Sequence, residues 1–99
     1  MSTVVPTSSL PDEGALGTAD VGGTTVALAR VDGTVYAFAD ECTHAQCSLS
    51  EGDLDGTHVV CPCHLGTFDV TSGAVVSGPP TDAVRTWQVR PTADGVELV

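Results

Sequence analysis

Lysine is absent from this 99-residue chain, and arginine occurs at only three positions, Arg30, Arg85 and Arg90. Thirteen carboxylates oppose them, for a formal charge of −10 at pH 7. That balance argues against nucleic acid or an anionic membrane as a partner. It suits docking on basic protein surfaces, with fast and salt-sensitive encounter, or it serves solubility alone. Long apolar runs are missing too. The opening Met1-Ser2-Thr3-Val4-Val5-Pro6 has no basic segment, so neither a secretory signal nor a membrane anchor is expected, and the cytoplasm is the default location. Repeats and low-complexity tracts are absent. No Ser/His/Asp set and no phosphate-binding glycine loop is present, which argues against hydrolytic and nucleotide chemistry.

What the chain does contain is the material of a small, turn-rich, ordered domain: 41% hydrophobic residues with 11 Gly and 6 Pro. Its length allows one domain, residues 1–99. Strand signals recur at short spacing. Thr24 to Val31 reads as a strand, Asp32-Gly33 as a two-residue hairpin turn, and Thr34 to Phe38 as the returning strand. In that strand Val35 and Ala37 lie on one face, Tyr36 and Phe38 on the other. Further strands are expected over Thr57–Val60, Gly66–Val70, Ala74–Val76, Thr86–Arg90 and Val96–Val99, with turns at Ser72-Gly73 and Ala93–Gly95. No long helix is indicated, and Leu10 to Ala15 offers a single turn at most. The fold class expected is all-β, an antiparallel sandwich or barrel.

Two short strings interrupt this pattern: Cys42-Thr43-His44 and Cys61-Pro62-Cys63-His64. Sixteen residues separate them. Each pairs a thiol with an imidazole, so two loops supply two Cys and two His. Thiolate is the usual protein ligand of iron in iron–sulfur clusters, and imidazole suits iron as well. Zinc is the alternative, since Cys2His2 sets also bind it, although a C-x-H start is not the usual structural-zinc spacing.

From Cys42-Thr43-His44 through Cys61-Pro62-Cys63-His64-Leu65-Gly66-Thr67-Phe68-Asp69 the chain resembles the Rieske [2Fe-2S] proteins, in which two His replace two Cys on one iron. The intervening Ser48-Leu49-Ser50-Glu51-Gly52 and Leu54-Asp55-Gly56 resemble the Rieske-type ferredoxins of bacterial ring-hydroxylating oxygenase systems. The resemblance implies that Cys42 and Cys61 hold one iron, and His44 and His64 the other. It implies a Rieske-type sandwich in which a cluster-binding subdomain, about residues 40–80, is inserted in a base sheet built from 1–39 and 81–99. The implied activity is electron transfer rather than catalysis. A soluble monomer would take one electron from a flavin-dependent reductase and pass it to a terminal oxygenase. The alternatives are the soluble Rieske domain of a respiratory or oxidase-type complex, and a small accessory subunit of a nitrite-reductase-like enzyme.

Two departures pull in opposite directions. Cys47 and Cys63 resemble the extra pair of high-potential respiratory Rieske proteins, which is joined as a disulfide; the resemblance implies the same Cys47–Cys63 bridge here, shielded by burial beside the cluster. The respiratory proteins also place Ser and Tyr hydroxyls at positions matching Gly66 and Phe68, and neither residue here has a side-chain donor. That implies a potential at the low end of the Rieske range, below about 0 mV. Around the ligand tip, Leu65 with Ala45 and Pro79-Pro80 would form an apolar collar for docking. His58 reads as a surface or structural histidine and Trp87 as a core residue. Asp53, Asp55 and Asp40-Glu41 read as docking charges or as solvated turns.

Overall fold

The computed structural model describes residues 3–41, 47–63, 66–78 and 83–99. Among them there is no α-helix. Eleven strands run in chain order: β1 (Thr3–Pro6), β2 (Leu16–Val21), β3 (Thr24–Val31), β4 (Thr34–Ala39), β5 (Asp53–Asp55), β6 (His58–Val60), β7 (Thr67–Asp69), β8 (Val75–Ser77), β9 (Thr86–Trp87), β10 (Val89–Thr92) and β11 (Gly95–Leu98). Single 3-10 turns at Thr7–Ser9 and Leu49–Glu51 complete the set.

The strands form three antiparallel sheets, ordered β1-β11-β10, β2-β3-β4-β9 and β5-β6-β7-β8. The middle of these, β2-β3-β4-β9, is the central layer, and the reason lies in its side chains. Along β3, Val26 and Leu28 point to one face and Ala27 and Ala29 to the other, and all four are fully buried. An antiparallel strand with one wet face would alternate apolar and polar residues; a strand buried on both faces reads as a continuous apolar run. In β4 the alternation expected from the sequence holds: Val35 and Ala37 join Val26 and Leu28 against Val5, Val96 and Leu98 of the terminal sheet. Phe38 joins Ala27 and Ala29 on the opposite face, against Leu49, Val59, Cys61, Phe68, Val70 and Val84. Burying Phe38, Leu28, Leu49 or Phe68 stabilises the fold by about 1.5–3 kcal/mol each.

The hairpin turn at Asp32-Gly33 has both residues at positive φ, 52° and 78°, as a type I′ turn requires. The carboxylate of Glu13 secures it, accepting from the amides of Asp32 and Gly33 at 2.7 Å each. The segment Leu10 to Ala15 holds a β-turn, not a helical one: the Ala15 amide donates to the Asp12 carbonyl at 2.9 Å.

Three strands differ from the sequence reading by being there at all. β1, β2 and β5 are edge strands of their sheets. Thr86–Arg90 does not run as one strand; it switches sheets at Gln88, with β9 pairing β4 and β10 pairing β11. The third sheet is built from the contiguous stretch 53–77, between β4 and β9 of the central layer.

Candidate metal centre

Two loops carry the Cys/His strings, and the fold clamps the stem of each. The first leaves the central sheet at the end of β4. An isolated bridge between Glu41 and Ser48 closes it. Just inside, the Leu49 amide donates to the Asp40 carbonyl at 2.6 Å, and the Ser50 amide to Asp40 Oδ1 at 2.8 Å. Asp40 is 6% exposed. It is therefore neither a docking charge nor a solvated turn residue. A buried carboxylate is tolerated where it accepts hydrogen bonds, and here it ties the loop's return to its exit. The 3-10 turn at Leu49–Glu51 ends on Gly52, where a Cβ would run into the carbonyl oxygens of Val60 and Leu49, so only glycine lets this turn lie against β6.

The second loop connects β6 and β7. The Cys61 amide donates to the Gly66 carbonyl at 2.7 Å, closing it. Cys61 is fully buried and its thiol is free. It sits within the core that Phe38, Leu49, Val59 and Phe68 form beneath the loops. A disulfide joins Cys63 of this loop to Cys47 of the first, with Cα atoms 6.4 Å apart and a sequence separation of 16. That separation is within the ordinary span of a disulfide. The shielding expected for the bridge is not there: Cys63 is exposed and Cys47 half-buried.

Of the four candidate ligands, Cys61 is thus placed by the structure, within the core; Cys42, His44 and His64 lie outside the described residues, as do Ala45, Leu65, Pro79 and Pro80 of the expected collar. Among the described residues no three His, Cys, Asp or Glu side chains converge as a metal site. The donor set still fits an iron–sulfur group. A free thiol is sealed in apolar surroundings at the base of a closed loop, and a second loop with the other Cys/His string is fastened across it. Gly66 is buried and Phe68 fully so, and neither presents a side-chain donor to this region.

His58 lies across from both Asp55 and Asp69 in neighbouring strands, on the outer face of the third sheet and away from the loops' clamps. Asp69 has its carboxyl held below the usual carboxylate range, first by the Thr71 hydroxyl, then by the Thr71 amide, with His58 adding to the effect. Trp87 is half-buried against the terminal-sheet core, and the Arg85 guanidinium lies 4.5 Å from its ring centroid. Sequence reasoning missed Asp40 and Gly52 as the parts that hold the first loop. Nothing in the local sequence marks them, because their partners come from residues 49, 50 and 60.

Comparison with known proteins agrees with this construction. The Rieske [2Fe-2S] domain family matches residues 1–88. The ferredoxin component of a naphthalene 1,2-dioxygenase system from Pseudomonas putida is 39% identical over 70 residues, covering 71% of this chain and 67% of that protein. The ferredoxin of carbazole 1,9a-dioxygenase from Nocardioides aromaticivorans IC177 superposes with a TM-score of 0.88 at 30% identity, covering 96% of this chain and 92% of that one. A chain from a complex of reduced oxygenase and oxidized ferredoxin in carbazole 1,9a-dioxygenase superposes with a TM-score of 0.89 at 35% identity, covering 98% of this chain and 100% of that one. With its two clamped loops, its buried free cysteine and these matches, the chain belongs to the Rieske [2Fe-2S] family.

Proposed function

We propose that this protein is a one-electron carrier of the Rieske ferredoxin type, taking its electron from a flavin-dependent reductase and delivering it to a terminal oxygenase. The observation that carries the reading is the near end-to-end correspondence with a ferredoxin of an oxygenase system, joined to a site whose described parts serve only to hold and seal. Cys42 and Cys61 would bind one iron of a [2Fe-2S] cluster, His44 and His64 the other. The bound cluster supplies reversible one-electron chemistry. The chain's own part is to fix the loops through Asp40, the Cys61–Gly66 hydrogen bond and the Cys47–Cys63 bridge, and to keep water from the Cys61 side through Leu49 and Phe68. With all four positions filled by protein, no substrate would bind at the metal. The chain would act as a single domain and a monomer in the cytoplasm.

Reconstitution tests this reading. The holoprotein, a flavin-dependent reductase and a ring-hydroxylating oxygenase from the same source should together turn over substrate, and omission of the holoprotein should stop it. Turnover that does not depend on this protein would contradict the assignment. One observation favours a second reading, the soluble domain of a respiratory-type complex: the Cys47–Cys63 disulfide. The missing hydroxyls at Gly66 and Phe68 oppose it, and the reduction potential separates the two.

A further inference from the structure

Far from the metal loops, at the β3–β4 turn end of the molecule, the terminal and central sheets part to leave a cleft of about 280 Å3. Its walls are apolar, formed by Leu10, Val35, Val89, Pro91 and Val96, and Arg30 enters it from β3. The other two arginines have partners: Arg85 stacks on Trp87, and Arg90 bonds Glu97 through Nε at 2.9 Å. Arg30 is different. Its Nε is buried, and no described residue accepts a hydrogen bond from it. The Glu13 carboxylate is engaged elsewhere, each oxygen accepting from an amide of the Asp32-Gly33 turn. The Thr7 hydroxyl on the cleft's rim is committed to the Asp94 carbonyl.

A guanidinium cannot shed its charge, and the Arg30 side chain forms no ion pair or hydrogen bond among the described residues, so an anion in the cleft is the partner it lacks. In a chain with thirteen carboxylates and three arginines, its being left unpaired against apolar walls is unexpected for a purely structural side chain. Small-molecule sites are apolar clefts with a few placed polar groups, and this volume falls just below their usual range, which limits the ligand to a small one. We infer that the cleft between the two sheets binds a small monocarboxylate with an apolar body of about one ring, its carboxylate on Arg30 and its body among Leu10, Val35 and Val96. The carboxylate satisfies the guanidinium through a charge-assisted bond, which a neutral ligand of the same shape does not reproduce.

The probe is benzoate, titrated into the holoprotein by calorimetry, with the neutral benzamide as its comparison. Benzoate should bind saturably and benzamide at least about tenfold more weakly, since loss of a charge-assisted bond costs that much or more. Arg30→Gln should weaken benzoate by a similar factor. Arg85→Gln, outside the cleft, should leave it unchanged. Leu10→Trp keeps Arg30 and fills the cleft, and should abolish binding; with the benzamide comparison it decides the matter even if Arg30→Gln does not fold. Absence of saturable benzoate binding, equal binding of benzamide, or undiminished binding by Leu10→Trp would overturn the inference.

Discussion

The sulfur atoms of Cys47 and Cys63 are bonded across the two Cys/His loops, and Cys63 is open to solvent. A staple of this kind removes freedom from the unfolded chain, and a loop of this length is worth about 3 kcal/mol. Cys47→Ser with Cys63→Ser should therefore lower unfolding stability by about 2–4 kcal/mol, read by denaturant titration of the holoprotein. Because Cys63 is exposed, a phosphine reductant should open the bridge without denaturant, giving two alkylatable thiols by mass spectrometry. A double variant as stable as the native protein would show that the bridge clamps nothing.

Asp40 holds the first loop from below by accepting the Ser50 amide. Asp40→Ala leaves that amide without its acceptor in a part-buried place, and should cost about 1–3 kcal/mol. Asp40→Asn keeps an oxygen in position and should cost less. The comparison is made by chemical denaturation, with the rate of bleaching of the visible absorbance as a second readout of loop integrity. Equal effects of Ala and Asn would refute the role given to Oδ1.

Asp69 gives the pH dependence a sign. Its carboxyl lies below its ordinary value of 3.8 in the folded protein, chiefly because the Thr71 hydroxyl bonds it. The unfolded chain takes up this proton first as pH falls. The stability from the pair is therefore present above about pH 4 and is lost as pH drops through the lowered folded value. Thr71→Val should be less stable than the native protein at pH 6, and the gap should close on acidification. The effect will be small, because Asp69 lies near the surface and solvent screens it. A gap that widens toward low pH would contradict the assignment.

Phe68 packs in the same core as Cys61 with no donor to offer. Phe68→Tyr places a hydroxyl there whose best acceptor is thiolate or cluster sulfur, and Gly66→Ser does the same from the loop. Hydrogen bonds to sulfur favour the more negative, reduced state, so both substitutions should move the potential upward. If both leave it unchanged, the hydroxyl account of the potential is wrong.

Strands whose side chains meet the core were legible from sequence; strands at edges were not. β3 announced itself by its apolar run, β4 by alternation, and the turn between them by Asp32-Gly33, which needs positive φ and has the residues for it. β5 is Asp-Leu-Asp, a short, charged edge strand, as edge strands tend to be when they must resist pairing with other chains. β2 mixes Gly, Thr and Asp with half-buried residues and pairs on one side only. Thr86–Arg90 alternates like a single strand, and no residue pattern shows that the chain changes sheets at Gln88. For the metal centre, the Cys/His strings carried the chemistry, since ligands must be of particular types at short spacing. Their support was invisible: Asp40 finds Ser50, and Gly52 meets Val60, only after the chain has folded back. The exposure of Cys63 was misjudged for the same reason, because it depends on where the loop ends up.

The measurement that bears most directly on the central claim is a redox titration of the purified protein followed by EPR of its reduced state. The account predicts a Rieske-type signal with a potential below about 0 mV. A potential well above that would assign the chain to the respiratory type that its disulfide suggests, and an EPR-silent protein containing zinc would contradict the iron–sulfur assignment altogether.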